Sequence, residues 1–385
     1  MEPIEDLVEQ LQSGTTEQRI LAAERLGRSH SPLSLHTLTA LIDILKGPDE
    51  QLCYQSAKSL VWLVGYQRGL KLLEHDNPEV RHATIWALDE LKLRKEQQEW
   101  LIPALLNCLH DEHGAVRAAT AYMLGRMGAD EALESLIVLI DDEYPLAQMN
   151  ALDALGQLRN PRAFDALVAC LSSSYAFLAA DALGKLGQPE AIPYLLALLE
   201  SSDPTIQGSA TLAILNLDHG PCTAELLAHP KEIVRLICAR GLSEQIEHHS
   251  HITLRTSGHQ VPQSPLMPHL KRLIPTLMER LGCETNLRLR RFLIKLLGQL
   301  HAAQSLPLLA TLLTADPESE IRADAALSLG CMEDTESLRS ILQRVLAEDL
   351  SLPVKIAAKK ALERLDFLAT AAKLVNTDIV HQEIS

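Results

Sequence analysis

The stretch AVRAATAYMLGRMG, residues 115–128, decides the fold class because it recurs along the chain in degraded form. Its relatives are EVRHATIWALDELK (79–92), LAQMNALDALGQLR (146–159), AFLAADALGKLGQP (176–189) and EIRADAALSLGCME (320–333). Self-similarity at a period of a few tens of residues is typical of repeat proteins, in which one supersecondary unit cannot bury its apolar face alone. The sequence therefore predicts a stack of repeated units.

The register of the repeat follows from the residue in the place of Gly125, which serves as an anchor. The residue before the anchor is aliphatic in every copy, and the residue five before it is mostly small. At 100° per residue these positions share one helical face, which is the core side of a helix. Anchors are 24 to 38 residues apart with one gap of 55, so the pattern predicts eleven helical hairpins and one insertion. The anchors are Gly27, Gly65, Asp89, Gly125, Gly156, Gly184, Leu215, Ser243, Gly298, Gly330 and Glu363.

The remaining signals agree with helical hairpins. The apolar residues are mostly Leu and Ala, aromatic residues are only 3% of the 385, and long β-branched runs are absent. Short loops carry Asn77-Pro78, Asp203-Pro204 and Asp316-Pro317, where Asn or Asp can cap a helix and Pro can occupy its first position. Glycine at the anchor either ends the second helix or permits close packing. The predicted fold is therefore an all-α solenoid.

Composition restricts the partners. A formal charge of −15 repels nucleic acid and anionic membrane, so no general nucleic-acid binding is expected. No apolar run is long enough to span a membrane, and the acidic start MEPIEDLVEQL is unlike a secretory signal. The seven cysteines form no C-x-x-C pair, and Cys108 and Cys170 lie in apolar helix patterns that predict burial. These features favour a reduced, cytoplasmic protein.

The repeat resembles the HEAT repeat of the phycobilisome-lyase (PBS lyase) type, which carries V-R-x-x-A-A-x-A-L-G. The resemblance covers roughly residues 1–243 and 266–366. It implies an armadillo-like right-handed superhelix of about eleven hairpins, with the second helices lining a concave wall. The repeat motif describes packing geometry, so it specifies the fold and leaves the function open.

The repeat pattern predicts four segments. Residues 1–243 form an N-terminal repeat block, 244–265 a loop insertion, 266–366 a C-terminal repeat block, and 367–385 a closing helix and tail. The insertion EQIEHHSHITLRTSGHQVPQSP lacks helical periodicity, so 246–262 are expected to be irregular. Its histidines, among them His248, His249 and His251, have no Cys or paired carboxylate to complete a ligand set, and no metal or other cofactor is expected.

Enzymatic alternatives find little in the sequence. The HEAT-type deoxyhypusine hydroxylases hold iron through His-Glu dipeptides, whereas this chain has none, and Ala83 follows His82 where Glu would be required. The segment VRHATIWALD (80–89) resembles the arginine-plus-aromatic helices of bilin lyase subunits, which keeps a lyase- or chaperone-type role on a chromophore-bearing protein as the alternative. An α-solenoid DNA glycosylase needs a basic groove, which Asp89, Asp153 and Asp181 oppose. Hydrolase and nucleotide-binding motifs are absent.

The open face of the second helices carries the candidate binding residues. Three before the anchor stand Trp62, Trp86 and Tyr122 in successive hairpins, then Asp153 and Asp181, and later Arg240 and Lys295. Aromatic side chains outside a core are typical binding anchors, although both Trp side chains could instead pack on the adjacent second helix.

Eight before the anchor, arginine recurs, and a structural ladder to loop acids such as Asp76 and Asp111 is the favoured interpretation. In the C-terminal block, however, Arg290 and Arg291 share a helix with Arg288 and Lys295 and few acids, which predicts a basic patch on the same wall.

Together these patterns favour a non-catalytic scaffold or adaptor that binds a protein segment in its groove, with no cofactor. The predicted partner-binding residues are Trp62, Trp86, Tyr122, His82, Asp153, Asp181, Arg240, Arg290, Arg291 and Lys295.

Overall fold

The computed structural model describes residues 3–29, 35–91, 94–218, 220–256 and 266–382. Within these ranges every regular element is helical and no strand occurs, which confirms the all-α solenoid. The chain divides into two compact units, Met1–Gln188 and Pro189–Ser385. None of the described helices is long and apolar enough to cross a membrane.

Within its described residues the first unit contains six hairpins, whose second helices are the even-numbered ones. Its helices are α1 (Ile4–Ser13), α2 (Thr16–Gly27), α3 (Leu35–Ile44), α4 (Glu50–Val64), α5 (Tyr66–Gly69), α6 (Pro78–Glu90), α7 (Lys95–Cys108), α8 (Gly114–Met127), α9 (Leu133–Leu139), α10 (Pro145–Leu158), α11 (Phe164–Ala169) and α12 (Ala176–Leu186). Short 3₁₀ turns extend some first helices, at Leu70–Glu74, Asp130–Ala132, Pro161–Ala163 and Cys170–Ser172. Successive second helices contact each other from α2 to α12.

The second unit contains five hairpins, whose second helices are α14, α16, α19, α21 and α23. Its helices are α13 (Ile192–Leu198), α14 (Pro204–Leu217), α15 (Pro221–Ala228), α16 (Glu232–Thr256), α17 (Leu266–Lys271), α18 (Ile274–Cys283), α19 (Leu287–Gln299), α20 (Leu306–Ala315), α21 (Ser319–Leu329), α22 (Glu336–Glu348) and α23 (Leu352–Gln382). Here too 3₁₀ turns precede first helices, at Pro189–Ala191 and Ala303–Ser305. The second helices again contact one another in order.

Two of the three predicted caps begin helices as expected. The Asn77 side chain accepts from the Glu79 N–H at 2.9 Å, and the Asp203 side chain accepts from the Thr205 N–H at 2.8 Å, each with Pro following at the first helical position. Asp316 differs, because its carboxylate accepts from the Glu318 N–H inside the loop and α21 begins only at Ser319.

The anchor glycines serve close packing. A Cβ placed on Gly125 would stand 2.6 Å from the Cβ of Ala154, two residues before the next anchor, where real Cβ atoms are not found. The same crossing occurs at four further pairs of neighbouring second helices: Gly156 with Ala182, Gly298 with Ser328, Gly330 with Ala361, and Gly27 with Ser59. Small residues at these crossings bring the second helices together. Of the two predicted roles of the anchor glycine, helix termination and close packing, the structure shows the second at these five crossings.

The crossing of Gly27 with Ser59 corrects the register of the second hairpin. Ser59 Oγ donates to the Ala23 carbonyl at 2.8 Å, just as Ser328 Oγ donates to the Ile294 carbonyl at 3.0 Å in the second unit. Because Ser328 lies two residues before its anchor, the equivalent anchor here is Val61 and not Gly65. The anchor spacings of 38 and 24 residues become 34 and 28. Gly65 itself lies just beyond the helix with φ 76°, which explains why it resembled an anchor in sequence.

With Val61 as anchor, the aliphatic residue before the anchor is buried in ten hairpins and half-buried only at Leu362. This column was the main evidence for the repeat, and its burial agrees with the predicted core face.

The predicted loop of the insertion is helical over much of its length. Helix α16 continues through Thr256, so residues 244–256 are not irregular, whereas 257–265 lie outside the described residues. Ile246 is buried on this extension, and residues 244–256 contain no Gly or Pro that would end the helix. The side chains of His248, His249 and His251 are likewise outside the described part.

The boundary between the two compact units falls at 188/189. The predicted blocks 1–243 and 266–366 describe the continuity of the repeat pattern and stay a prediction. At the end of the chain, the predicted closing helix 367–385 is continuous with the last second helix, because α23 runs unbroken from Leu352 to Gln382.

Candidate binding surface

An arginine ladder joins successive hairpins on the loop side. Arg81 binds Asp111 of the next hairpin through two hydrogen bonds of 2.7 Å, while its third nitrogen donates to the carbonyls of His75 and Asp76 in its own loop. The guanidinium therefore links the backbone carbonyls of its own loop to a carboxylate of the following hairpin, which confirms the predicted structural role. Equivalent rungs are Arg117 with Asp142, Arg235 with Glu284, Arg290 with Asp316, and Arg322 with Asp349.

Glu284 is the most deeply buried carboxylate of the ladder, and it accepts from both Arg235 and Arg280. Burial opposes its ionisation, but the hydrogen bonds from Arg235, the Asn286 N–H and Arg280 outweigh burial and lower the pKa of Glu284 to about 2. Glu284 is therefore ionised throughout the neutral range.

The second helices of the first unit also carry a continuous run of rings. Tyr54 of α4 lies 5.9 Å from His82 of α6, measured between ring centroids, and Trp86 of α6 lies 5.3 Å from Tyr122 of α8. His82 and Trp86 are one turn apart on α6 with their rings edge to face. These four residues, Tyr54, His82, Trp86 and Tyr122, form the aromatic row, and all four are half-buried.

A hydrogen bond orients the central ring of the aromatic row. The Trp86 Nε1–H donates to His82 Nε2 at 2.9 Å, which requires a neutral His82 that carries its proton on Nδ1. Burial lowers the pKa of His82, outweighing the opposing field of Glu79, so the imidazole is neutral at neutral pH. His82 thus positions Trp86.

Tyr54 was missed in the sequence because the second hairpin was read four residues out of register. With Val61 as anchor, Tyr54 stands seven before it, in the same column as His82 of the next hairpin. The signal was present in the sequence, but only the helix crossing at Ser59 identifies it.

Trp62 occupies a different place from the one predicted. It follows its anchor, and the residue three before that anchor is Lys58. The Lys58 ammonium lies 4.9 Å and the Arg28 guanidinium 5.8 Å from the centroid of the Trp62 ring, as in cation–π contacts. Trp62 is half-buried beneath these cations, and the ring contacts found in the described residues do not include it in the aromatic row.

The predicted acidic residues of the open face are neutralised by neighbours. Lys185 Nζ lies 2.7 Å from both Asp153 and Asp181, and Arg126 lies 2.6 Å from Asp89. In the second unit Arg240 faces Glu244, one turn away, at 3.6 Å.

The positive charges of the predicted basic patch on α19 are paired with carboxylates, so the patch is not the uncompensated one that the sequence predicted. Arg290 is a rung of the ladder with Asp316, Arg291 binds Glu320 and Asp324, and Lys295 lies 2.6 Å from Glu247. The sequence showed few acids on α19 itself, whereas these carboxylates come from α16, from α21 and from the loop that precedes α21. Only the stacking of hairpins brings them near.

A pocket of about 890 Å³ lies among α19, α21 and α23 of the second unit. Its basic lining residues are Arg288, Arg291, Lys295, Lys360 and Arg364, and its apolar lining includes Phe292 and Leu327. The pocket thus brings together cationic side chains of α19 and α23, which belong to different hairpins.

The buried cysteines Cys53, Cys108, Cys170 and Cys238 offer no activated thiol, because burial raises the pKa of each. Cys108 and Cys170 are buried as predicted, and burial raises the pKa of Cys108 to about 11. A thiol with a raised pKa stays protonated and is a poor nucleophile at neutral pH. Among the described residues no three His, Cys, Asp or Glu side chains gather as a metal site would require.

Comparison with known proteins agrees with this architecture. HEAT repeats match residues 102–178 and 274–363, and a PBS lyase HEAT-like repeat matches residues 177–201. No curated protein sequence is significantly similar to the chain.

Among solved structures, the karyopherin Kap121p bound to Nup53p is similar over 99% of this chain and 47% of its own, with 14% identity and a TM-score of 0.55. Kap121p bound to the extreme C-terminus of the protein phosphatase Cdc14p is similar over 94% of this chain and 49% of its own, with 15% identity and a TM-score of 0.54. This chain thus spans about half the length of these karyopherin chains.

The CpcE–CpcF complex of phycocyanin lyase from Nostoc sp. PCC7120 is more distant, with a TM-score of 0.37 and 17% identity over 79% of this chain and 94% of that one. The matched repeats agree with the stacked hairpins: the chain contains HEAT repeats at 102–178 and 274–363 and a PBS lyase HEAT-like repeat at 177–201.

Proposed function

We propose that this protein is a non-catalytic scaffold or adaptor that binds a segment of another protein across the aromatic row. The half-exposed pair of Trp86 and Tyr122 is the observation that carries the proposal. Aromatic side chains bury a large area with few rotatable bonds, which is why they dominate binding hot spots.

The row is held in place before any partner binds. The hydrogen bond to His82 orients Trp86, and the guanidinium of Arg126 lies 5.6 Å from the centroid of the Tyr122 ring. A surface whose side chains are already ordered loses less conformational entropy on binding. Because the rings lie on three successive helices, an extended segment that crosses α4, α6 and α8 would contact them in order.

The charges beside the row favour an apolar or aromatic segment as the partner. Asp89 is paired with Arg126, and Lys58 with Glu90, so the flanks of the row are close to neutral. The formal charge of −15 disfavours a nucleic acid in this place. The karyopherins of similar fold hold protein segments, which is consistent with such a role for stacked helical hairpins.

Affinity capture from native cell extract tests the proposal. The wild type should enrich a partner that the Trp86→Ala plus Tyr122→Ala variant loses, since truncating hot-spot aromatics costs about 2–4 kcal/mol of binding free energy. Trp100→Ala is the matched control, because Trp100 is 74% exposed on the first helix α7, away from the row. A partner retained equally by the double variant, with unchanged helicity by circular dichroism, would contradict the assignment.

The alternative remains a lyase- or chaperone-type subunit that acts on a chromophore-bearing protein. The PBS lyase HEAT-like repeat at 177–201 is the feature that favours it. Visible absorbance that copurifies with the protein, or bilin transfer to an apoprotein in its presence, would support this alternative over the scaffold.

A further inference from the structure

We propose that the pocket among α19, α21 and α23 binds an acidic peptide segment that carries one apolar side chain. The inference rests on the proposed role as a protein-binding scaffold and specifies a second contact surface with its own chemistry. Three features of the pocket favour this ligand: its volume, three cations without an anionic partner among the described residues, and an apolar wall.

Close helix crossings create the pocket. Gly298 meets Ser328, and Gly330 meets Ala361, so the backbones of α19, α21 and α23 lie close together at these points. The pocket is lined by small residues at these crossings (Gly298, Ser328 and Ala361) and by longer side chains beside them, such as Arg291 and Arg364. The resulting volume of about 890 Å³ lies within the range of about 300–1,000 Å³ that is usual for ligand pockets.

Three of the cations that line the pocket have no anionic partner. Arg288, Lys360 and Arg364 have no carboxylate within 4.0 Å among the residues that the structure describes, whereas Arg291 and Lys295 are paired. In the first unit, by contrast, the open-face acids Asp153 and Asp181 share a cation. Unpaired like charges around a concave surface raise its positive potential, which a bound carboxylate would relieve.

The apolar wall indicates the second requirement of the ligand. Phe292 of α19 is half-buried, and Leu327 of α21 is 42% exposed although it lies among charged neighbours. A ligand with acids alone would leave these surfaces in water. An apolar side chain placed between them, flanked by carboxylates that reach the cations, would satisfy both parts of the lining.

An acidic peptide fits this lining better than a nucleic acid. Asp324 lines the pocket, and Glu247 and Glu320 adjoin it through their pairs with Lys295 and Arg291, so no continuous positive track is present. A phosphate backbone needs such a track, and the chain as a whole is acidic. The guanidinium groups of Arg288 and Arg364 match single carboxylates in fork geometry.

The experiment uses the full chain and a fluorescein-labelled peptide of about twelve residues, with Asp and Glu on both sides of one Leu, followed by fluorescence anisotropy. Two matched peptides replace either the acids by Asn and Gln or the Leu by Ser. We expect the acidic peptide to bind about tenfold more tightly than either matched peptide, with an affinity that falls as salt is raised.

Variants assign the binding to the pocket. Lys360→Gln plus Arg364→Gln should weaken binding of the acidic peptide about tenfold, and Leu327→Ser should weaken it severalfold. Lys359→Gln is the control, because Lys359 lies on the same helix but is paired with Glu363 and does not line the pocket. All variants change exposed side chains, and circular dichroism checks their helicity.

Three results would overturn the proposal: no measurable binding of the acidic peptide, equal binding by the Lys360/Arg364 variant, or displacement of the peptide by a single-stranded oligonucleotide at comparable affinity. The Trp86→Ala plus Tyr122→Ala variant should bind this peptide like the wild type. A failure of the peptide-binding experiment would therefore leave the proposed role of the aromatic row standing. A failure of the affinity capture would likewise leave the proposed role of this pocket standing.

Discussion

The guanidinium of Arg235 binds the carboxylate of Glu284, 49 residues further along the chain, with Nε 3.0 Å from Oε2. Elsewhere the same rung joins residues 25 to 30 apart in consecutive hairpins. The insertion of almost one repeat length therefore leaves the ladder intact, and α16 packs directly on α19. The stability of this part of the second unit should depend on that ion pair.

Removal of the charge of Glu284 should destabilise the second unit. Glu284→Gln keeps the shape but leaves Arg235 buried without its anion, and breaking such a pair costs about 3 kcal/mol in the free energy of unfolding. Urea denaturation followed by circular dichroism measures it. Glu279→Gln, an exposed change on the same helix, should stay within about 0.5 kcal/mol. Equal midpoints for the two variants would show that the pair contributes nothing.

The contribution of Glu284 to the free energy of unfolding should depend on pH between about 5 and 2. Its pKa of about 2 lies below the ordinary value of 4.5, so the folded state binds its proton less tightly than the unfolded state does. The stabilisation is complete above about pH 5 and declines as pH falls from 4.5 towards 2. The difference in unfolding free energy between wild type and Glu284→Gln should therefore shrink over this range. A difference that stays constant down to pH 2.5 would contradict the depressed pKa.

The glycine crossings should not tolerate a methyl group. Gly125→Ala would place a Cβ 2.6 Å from the Ala154 Cβ, which forces α8 and α10 apart and should lower the free energy of unfolding by about 1–3 kcal/mol. Gly282→Ala is the control, because nothing lies within 4 Å of its Cβ and alanine favours the helix. Thermal unfolding should separate the two, with a lower midpoint for the first and an unchanged or higher one for the second.

The hydrogen bond from Trp86 to His82 should be lost when the imidazole of His82 is protonated. Because burial lowers the pKa of His82 below 6.5, protonation should occur only under more acidic conditions, when Nε2 can no longer accept the indole proton. The Trp86 Nε1–H resonance, assigned by its loss in Trp86→Phe, should shift with that pKa. A resonance that titrates at or above pH 6.5 would contradict the lowered pKa, and one that does not shift when the His82 imidazole titrates would contradict the hydrogen bond.

Sequence reasoning reached the repeat unit and the core face, because both depend on local spacing within one hairpin. It reached the arginine ladder because arginine recurs at one position in successive hairpins. It placed Trp86 and Tyr122 side by side for the same reason, since equal positions in successive repeats become neighbours on stacking. The second hairpin was the exception, where Gly65 ends the helix and resembles an anchor that Val61 occupies. That error moved Trp62 into the wrong column and hid Tyr54.

The amino-acid sequence is sufficient to predict a stack of helical hairpins, because aliphatic, small and arginine positions recur at fixed offsets that only a helix brings to one face. Tertiary structure alone decided which charges remain unpaired. Arg291 and Lys295 look like a basic patch on α19, yet carboxylates from other hairpins neutralise them, while Arg288, Lys360 and Arg364 meet in one pocket from α19 and α23. The physical reason is that helix offsets are local, whereas ion pairs form between side chains that stacking brings within 4 Å from distant parts of the sequence.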